Sequence, residues 1–318
     1  MHLDRGWIAD VTGARGVVGV ERIQSLWSGY GALFRVTLEG GPRSSCVVKW
    51  AKPPPAANDA VSDARKRRSY QVEDAFYRAW APRCDARDRV AALLGRRVSS
   101  DEWVLVLEDL DAAGLGDRRR HLAGPELDAT LAWLATFHAR FLGEAPEDLW
   151  SEGSYWHLAT RMSELQGIDD PQLRAAAPVL DRLLAGARHR TVIHGDAKEA
   201  NFCFRRGKAG PVVAAVDFQY AGGGCGMRDV AYLLHGRADE PDDGIAHEHL
   251  ATYFGHLRRA LARREDPVDA DAVEEEWRRL YPIAKADFAR FLAGWASGHW
   301  RGDARGRRFL WRVLDQLA

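Results

Sequence analysis

Residues Thr191–Phe204 read TVIHGDAKEANFCF, two short apolar runs bracketing a polar loop that holds His194, Asp196, Lys198 and Asn201. A second acid, Asp217, follows the apolar run VVAAV. If NFCF and VVAAV pair as a hairpin that turns through RRGKAG, Asn201 and Asp217 come side by side, with Asp196 a short loop away. Two oxygen-bearing side chains beside a further carboxylate suit Mg²⁺, which takes hard oxygen ligands and keeps positions for water and phosphate oxygens. Asp196 is then available to orient and deprotonate a hydroxyl. Such a set is equipment for phosphoryl transfer, in which the protein mainly positions groups and neutralises charge.

The bulk properties bound the rest. A chain of 318 residues, 46% hydrophobic, buries a real core and suits one large domain or two lobes. Basic and acidic residues balance at 45 each and the pI is about 7.2. That balance disfavours a nucleic-acid partner held by phosphate neutralisation. The start, MHLDRGWIAD, lacks the apolar core of a signal peptide, and no run approaches the ~18 apolar residues of a membrane span. Cys46, Cys84, Cys203 and Cys225 are scattered, without close pairs or a histidine at zinc spacing. A reduced, cytoplasmic protein is expected; oligomeric state leaves no signature.

The first hundred residues read as an antiparallel meander. VVGVERIQSLW, LFRVTLEG and SSCVVKW are β-branched or alternating runs separated by the glycine turns SGYG and GGP. AKPPPAANDA interrupts them, since three prolines fit neither ladder nor helix interior. A helix is expected over about Ser69–Trp80, with RKRR (65–68) at its solvated start. RVAALLGRRV and EWVLVLEDL then read as two more strands. After Leu110 long helical patterns take over. Leu127, Leu131, Leu134, His138 and Phe141 fall on one helical face. Helical periodicity dominates from Met227 to the end, with Pro267 and Pro282 as expected breaks. Two short strand pairs around HGD and VDFQ are embedded in this half. The expectation is an α+β fold with a β-rich lobe over 1–110 and a mainly helical lobe over 111–318.

HGDAKEAN followed by VDFQ resembles the catalytic loop and metal motif of the protein-kinase-like fold. The branch it matches best is the aminoglycoside phosphotransferase and choline kinase superfamily. HGD…N, DFQ and RDVAYLL look most like the ecdysteroid-kinase-like group within it. The resemblance runs in order from about residue 20 to 235, and it implies a bilobal, ATP- and Mg²⁺-dependent kinase. Lys49 of VVKW stands where the family's third strand carries a phosphate-pairing lysine, and Glu73 of YQVEDAFYRAW stands as its partner. LVLEDL looks like the hinge strand, so backbone near Glu108 and Leu110 would bond adenine. Gly29 and Gly31 of SGYG are either the phosphate cover or an ordinary hairpin turn. Lys198 occupies the position where protein kinases direct a lysine at the transferred phosphate. Asp196 would be the base, Asn201 and Asp217 the metal ligands, and Asp229 a brace for the loop.

Competing readings stand beside these. Glu73, next to Asp74, also fits a solvated acid. His194 and His138 read as structural histidines, and GGGCG (222–226) as a flexible loop. Trp156, Trp295 and Trp300 are either core or the wall of an acceptor pocket. Departures from protein kinases favour a small hydroxylated acceptor: Gly195 replaces the arginine of His-Arg-Asp, Gln219 replaces the glycine of DFG, and no APE segment follows. The alternatives are an atypical protein kinase, a nucleotide-sensing module without turnover, and a metal hydrolase built on His194, Asp196, Asp217 and His235.

Overall fold

The computed structural model describes residues 3–26, 29–54, 60–236 and 244–317, the side chains of 244–246 and 299 excepted. Residues Ser28 of SGYG and 55–59 of the proline stretch lie outside that set. The chain divides into two compact units, one formed by Met1–Arg119 with Phe202–Gln219, the other by Arg120–Asn201 with Tyr220–Ala318.

The first unit begins with α1 (Arg5–Thr12), β1 (Gly16–Ser25), β2 (Gly31–Glu39) and β3 (Ser45–Ala51). It continues through α2 (Ala60–Ala75), a π-helical turn at Phe76–Trp80, β4 (Arg89–Val90), β5 (Leu93–Val98), β6 (Trp103–Glu108) and β7 (Asp117–Arg118). Strands β1, β2, β3, β6 and β5 lie in that order in one antiparallel sheet, the expected meander. One face is sealed by α1, whose Ile8 packs on Val36, Leu38, Cys46, Val48 and Val106. The alternation of these residues along their strands puts them on a common side.

Helix α2 starts at Ala60, well before the expected Ser69. RKRR therefore lies in the helix interior, where Arg67 pairs one turn back with Asp63 at 2.7 Å. The charge pattern hid a helix that has already begun by Ala60.

The second unit contains α3 (Gly124–Arg140), α4 (Met162–Gln166), α5 (Pro171–Ala185) and β8 (Thr191–Ile193). The chain then returns to the first unit as β9 (Phe202–Gly207) and β10 (Gly210–Ala215) before β11 (Gly222–Gly224) and α6 (Met227–Leu233). Helices α7 (Gly244–Leu261), α8 (Ala270–Trp295), α9 (Ser297–Gly302) and α10 (Ala304–Asp315) complete the chain. The apolar face read on α3 is buried throughout, from Leu127 to Phe141. Asp170 and Asp269 cap α5 and α8 by accepting backbone N–H bonds, each worth about 1 kcal/mol. Pro282 does not break α8. Its neighbours Leu280, Tyr281 and Ala284 are buried, and that packing offsets the lost backbone bond.

The division at 110 differs from the observed one in an instructive way. Strands β9 and β10 form the expected hairpin, with a shorter turn because pairing extends to Gly207 and Gly210. This hairpin joins β4 and β7 in a four-stranded sheet, in the order β4-β10-β9-β7. Those partners come from before residue 120, so 202–219 goes with the first unit. Side-by-side strand pairing, not chain order, sets the boundary. The aromatic residues also sort themselves: Trp156 and Trp300 are core, and Trp295 is 56% exposed.

Candidate active site

In the first unit, strand β3 carries Lys49, whose Nζ lies 2.7 Å from Glu73 and 3.1 Å from Asp217 Oδ1. Lys49 and Glu73 are both buried, so the reading of Glu73 as a solvated acid falls. Its neighbour Asp74 instead takes a bidentate pair from Arg96, at 2.6 and 2.7 Å. Burial would lower the Lys49 pKa, but the adjacent Asp217 and Glu73 carboxylates outweigh it and hold the ammonium above its ordinary value. Burial pushes the Glu73 carboxyl up to about 7, opposed by Lys49 and reinforced by Asp217. A buried carboxylate and a half-buried one thus share one ammonium.

Asp217 sits at φ +69°, an unusual backbone angle for a residue with a side chain. What fixes it is the next residue. Phe218 stacks face to face on Phe76 at 3.7 Å and edge-on to Tyr77. Gln219, visible in the sequence only as a departure, has a role here: its side chain hydrogen-bonds Glu73. At the end of β6, Glu108 donates its N–H to the Ala92 carbonyl, and the Leu110 carbonyl accepts from Leu115 N–H. Between them Asp109 is clamped by Arg35 Nε at 2.8 Å and Ser45 Oγ at 2.7 Å. Gly29 takes φ +76° and Gly31 φ +139°. A Cβ on Gly31 would meet the Trp50 carbonyl oxygen at 1.9 Å. The pairing of Gly31 with Ala51 in the sheet therefore demands that glycine, whatever Gly29 does.

In the second unit, β8 leads into the polar loop. Asp229, fully buried on α6, accepts N–H bonds from His194 at 2.7 Å and Gly195 at 2.9 Å, and contacts His138 Nε2 at 3.1 Å. The other His138 nitrogen meets Tyr253 Oη at 2.8 Å. His138 is a satisfied core histidine and Asp229 is the loop's brace. His194 is structural as well, its Nδ1 accepting the Asp196 N–H at 3.2 Å.

Asp196 is buried and gathers polar partners. Lys198 Nζ donates to its Oδ2 at 2.7 Å, and Asn201 Nδ2 donates to that oxygen at 3.0 Å and to the Asp196 carbonyl at 2.8 Å. With the Asn201 nitrogen committed in this way, its amide presents Oδ1 as the remaining donor atom. The oxygen, not the nitrogen, is the end a hard cation requires.

One neighbour of Asp196 escaped the sequence reading. Tyr232, three residues after Asp229 in RDVAYLL, lies near enough to Asp196 to feel its charge. Burial, then the Asp196 charge, drive its phenol well above the ordinary tyrosine range. The available signal was spacing, since positions three apart share a helix face.

Glycine chemistry shapes the loop too. Gly195 has φ +78°, and a Cβ there would lie 2.0 Å from the Tyr220 carbonyl oxygen. No arginine fits where protein kinases carry one. Gly195→Ala should melt about 1–3 kcal/mol less stably and lose about 10²-fold in turnover through loop displacement; an unchanged melting curve and rate would contradict this. The GGG run is no flexible loop. Gly222–Gly224 form β11, paired with β8, and a Cβ on Gly222 would sit 2.3 Å from the Trp150 carbonyl oxygen.

Among the described residues, no group of three His, Cys, Asp or Glu side chains is gathered as a metal set, so the hydrolase built on two histidines has no support. His235 packs instead against the Phe288 ring. The cysteines are free, and burial pushes the thiols of Cys46 and Cys203 up to about 11 and that of Cys225 to about 12, which makes them poor nucleophiles. No helix among the described residues is long and apolar enough to cross a membrane.

A family model described as a phosphotransferase enzyme family matches residues 23–267, well over half of the chain. No curated protein matches it. Among solved structures, a Haemophilus somnus 129PT protein assigned as a fructosamine-3-kinase aligns with TM-score 0.53 and 11% identity, covering 98% of this chain and 95% of its own. An aminoglycoside-3'-phosphotransferase of type VIII aligns with TM-score 0.49 and 17% identity, covering 86% of this chain and 94% of its own. Choline kinase from Cryptosporidium parvum Iowa II gives 0.49 and 9%, covering 93% and 90%.

Proposed function

The chain belongs to the phosphotransferase enzyme family, and from that premise we propose that it transfers the γ-phosphate of ATP to a hydroxyl of a small molecule, with Mg²⁺. The observation that carries this reading is the buried Lys49 held between Glu73 and Asp217. Burying an ammonium and a carboxylate is unfavourable unless they serve each other or a ligand, and the half-buried Asp217 adds a second charge at the edge of the pair. A nucleotide polyphosphate is the ligand such a lysine suits.

The roles divide by unit. In the first, Lys49 neutralises nucleotide phosphates, while Glu73 and Gln219 hold it in place. The adenine edge meets the Glu108 carbonyl and the Leu110 N–H, since the Glu108 N–H and Leu110 carbonyl are engaged within the protein. Gly29 is the proposed phosphate cover. In the second, Asp196 orients the acceptor hydroxyl and takes its proton. The acceptor oxygen bonds to the γ-phosphorus as the bond from that phosphorus to the β-bridging oxygen of the departing ADP breaks. Lys198 offsets charge on the transferred group.

Asn201 and Asp217 are the proposed metal ligands, and their donor set fits: one amide oxygen left free by the nitrogen's bonds to Asp196 and one carboxylate, both hard. Chain continuity supports assigning them to one ion. Asn201 immediately precedes Phe202, which pairs across the hairpin with Ala215, two residues before Asp217. Bound there, Mg²⁺ would neutralise phosphate oxygens.

The blocked Cβ position at Gly195 supports a small-molecule acceptor, because the arginine that grips a phosphorylated activation loop has no place here. Nucleotide titration tests the first unit's share. Lys49→Met and Asp217→Asn should each weaken Mg-ADP binding at least tenfold, as expected for losing a charged contact of about 1.5–3 kcal/mol. Unchanged affinity in both variants would sink the assignment.

A further inference from the structure

We propose that Arg35 is a positioning residue for the nucleotide base: its guanidinium, bridging Asp109 and Asp111, fixes the backbone edge at the end of β6 that receives adenine. This deepens the proposed function and rests on its placement of the base at Glu108 and Leu110.

The sheet register puts Arg35 on the side that carries Lys49. Directly opposed residues of antiparallel strands share a face. Arg35 on β2 stands opposite Val47 on β3, and Leu33 stands opposite Lys49. Ser45, Val47 and Lys49 alternate along β3 and share that face too. From β2, the Arg35 side chain therefore reaches past β3 to the residues that follow β6. Its Nε donates to Asp109 Oδ2 at 2.8 Å, and its Nη2 pairs with Asp111. Ser45 Oγ donates to the same Asp109 oxygen at 2.7 Å, and the Asp111 N–H donates to Asp109 Oδ1 at 3.1 Å.

The flanking carboxylates are engaged by other elements. Glu108 accepts from Arg89 of β4 at 2.6 Å and from the Ala92 N–H at 3.2 Å. Asp111 accepts from Arg118 of β7 at 2.9 Å. These two tie the segment to both edge strands of the four-stranded sheet, and Arg35 ties the residue between them to the five-stranded one. Asp109 is 3% exposed, so its carboxylate depends on that cation. Adenine offers a donor beside an acceptor along one edge, and the Glu108 carbonyl and Leu110 N–H can meet it only if both are held in register. Asp109 is the residue between them. An edge already rigid loses less freedom when the base docks. Arginine suits the task because its planar fork spans two carboxylates, which the point charge of a lysine does not.

Calorimetric titration of the full chain, without acceptor, tests the proposal with two ligands: Mg-ATP, and Mg-tripolyphosphate, which keeps the phosphates and lacks the base. The native chain should bind Mg-ATP the more tightly. Arg35→Gln should weaken Mg-ATP about tenfold, the size of a charged hydrogen bond, while Mg-tripolyphosphate affinity stays within about twofold. Arg35→Lys should show most of the same loss. Ser45→Ala removes one bond to Asp109 and leaves the ion pairs, so it should fold and weaken Mg-ATP about threefold. An arginine that only braced the fold would lower the melting temperature and move both ligands equally. Equal loss of both ligands, or unchanged Mg-ATP affinity in Arg35→Gln, overturns the proposal. Should that variant not fold, unchanged Mg-ATP affinity in Ser45→Ala overturns it instead. A native chain that binds the two ligands alike overturns the placement of the base at the end of β6, a distinguishable result.

Discussion

Asp196→Asn lowers turnover by about 10²- to 10⁴-fold while leaving Mg-ADP affinity within about twofold. The range is what a positioned general base contributes. The substitution is nearly isosteric and keeps an oxygen able to accept from Lys198 and Asn201, so the loop should retain its shape. What is lost is the site for the acceptor's proton. Of the groups assigned to Mg-nucleotide, Lys49, Asp217, Asn201 and the end of β6, only Asn201 touches residue 196, and its bonds go to the backbone carbonyl, which is unchanged, and to a side-chain oxygen that asparagine keeps. Comparing kcat with titrated Mg-ADP affinity checks the division. An equal fall in affinity would mean that Asp196 serves the nucleotide and that the roles have been misassigned.

Asp287→Ala destabilises the protein by about 3–5 kcal/mol, although Asp287 lies outside every motif discussed above. Asp287 is fully buried between two arginines that are also fully buried. Arg290 reaches its Oδ1 with Nη2 at 2.7 Å and Nε at 3.1 Å, and Arg228 Nη1 is 3.3 Å from its Oδ2. The next carboxylates near Arg228 are more distant, Asp181 at 3.8 Å and Glu152 at 4.0 Å. Removing the shared carboxylate strands two guanidinium groups in the interior, a large penalty in measured cases. Asp287→Asn, which keeps an acceptor, should lose less. Denaturant unfolding reads both, and a loss below about 1 kcal/mol for the alanine variant would show that the network relaxes around the gap. Arg290 also donates to the Trp156 carbonyl at 3.2 Å, and the preceding Tyr155 N–H bonds the Gly195 carbonyl at 2.7 Å. The buried charges thus support the segment on which the catalytic loop rests.

Particular residues explain why some of this was legible in the sequence and some was not. Lys49, Glu73 and Asp217 came from motif order, and in the structure Lys49 stands in ion pairs with both carboxylates. His138 came from its place on an apolar helix face, where a histidine needs a buried partner, and Asp229 came from the family resemblance. The helix start at Ala60 was missed because the charges of RKRR read as a terminus, whereas an Asp63–Arg67 pair makes them helix-compatible. Gly222–Gly224 looked like a loop because glycine signals freedom. Here it signals crowding, with the Trp150 backbone too close for any side chain. Gln219 and Asp287 share another difficulty. Each matters through a partner far off in the chain or on a separate element, and no local pattern announces such a pairing. The placement of 202–219 with the first unit was hidden for the same reason, since β4 and β7 give no sign of their partners.

The most direct test of phosphoryl transfer to a small alcohol is phosphorus NMR of Mg-ATP incubated with the native chain and a panel of hydroxylated metabolites and antibiotics. The prediction is loss of the γ-phosphate signal and growth of a phosphate-monoester signal, dependent on one acceptor and abolished by Asp196→Asn. Phosphate appearing only as the inorganic ion, phosphate carried on protein, or ATP left intact throughout the panel would contradict it.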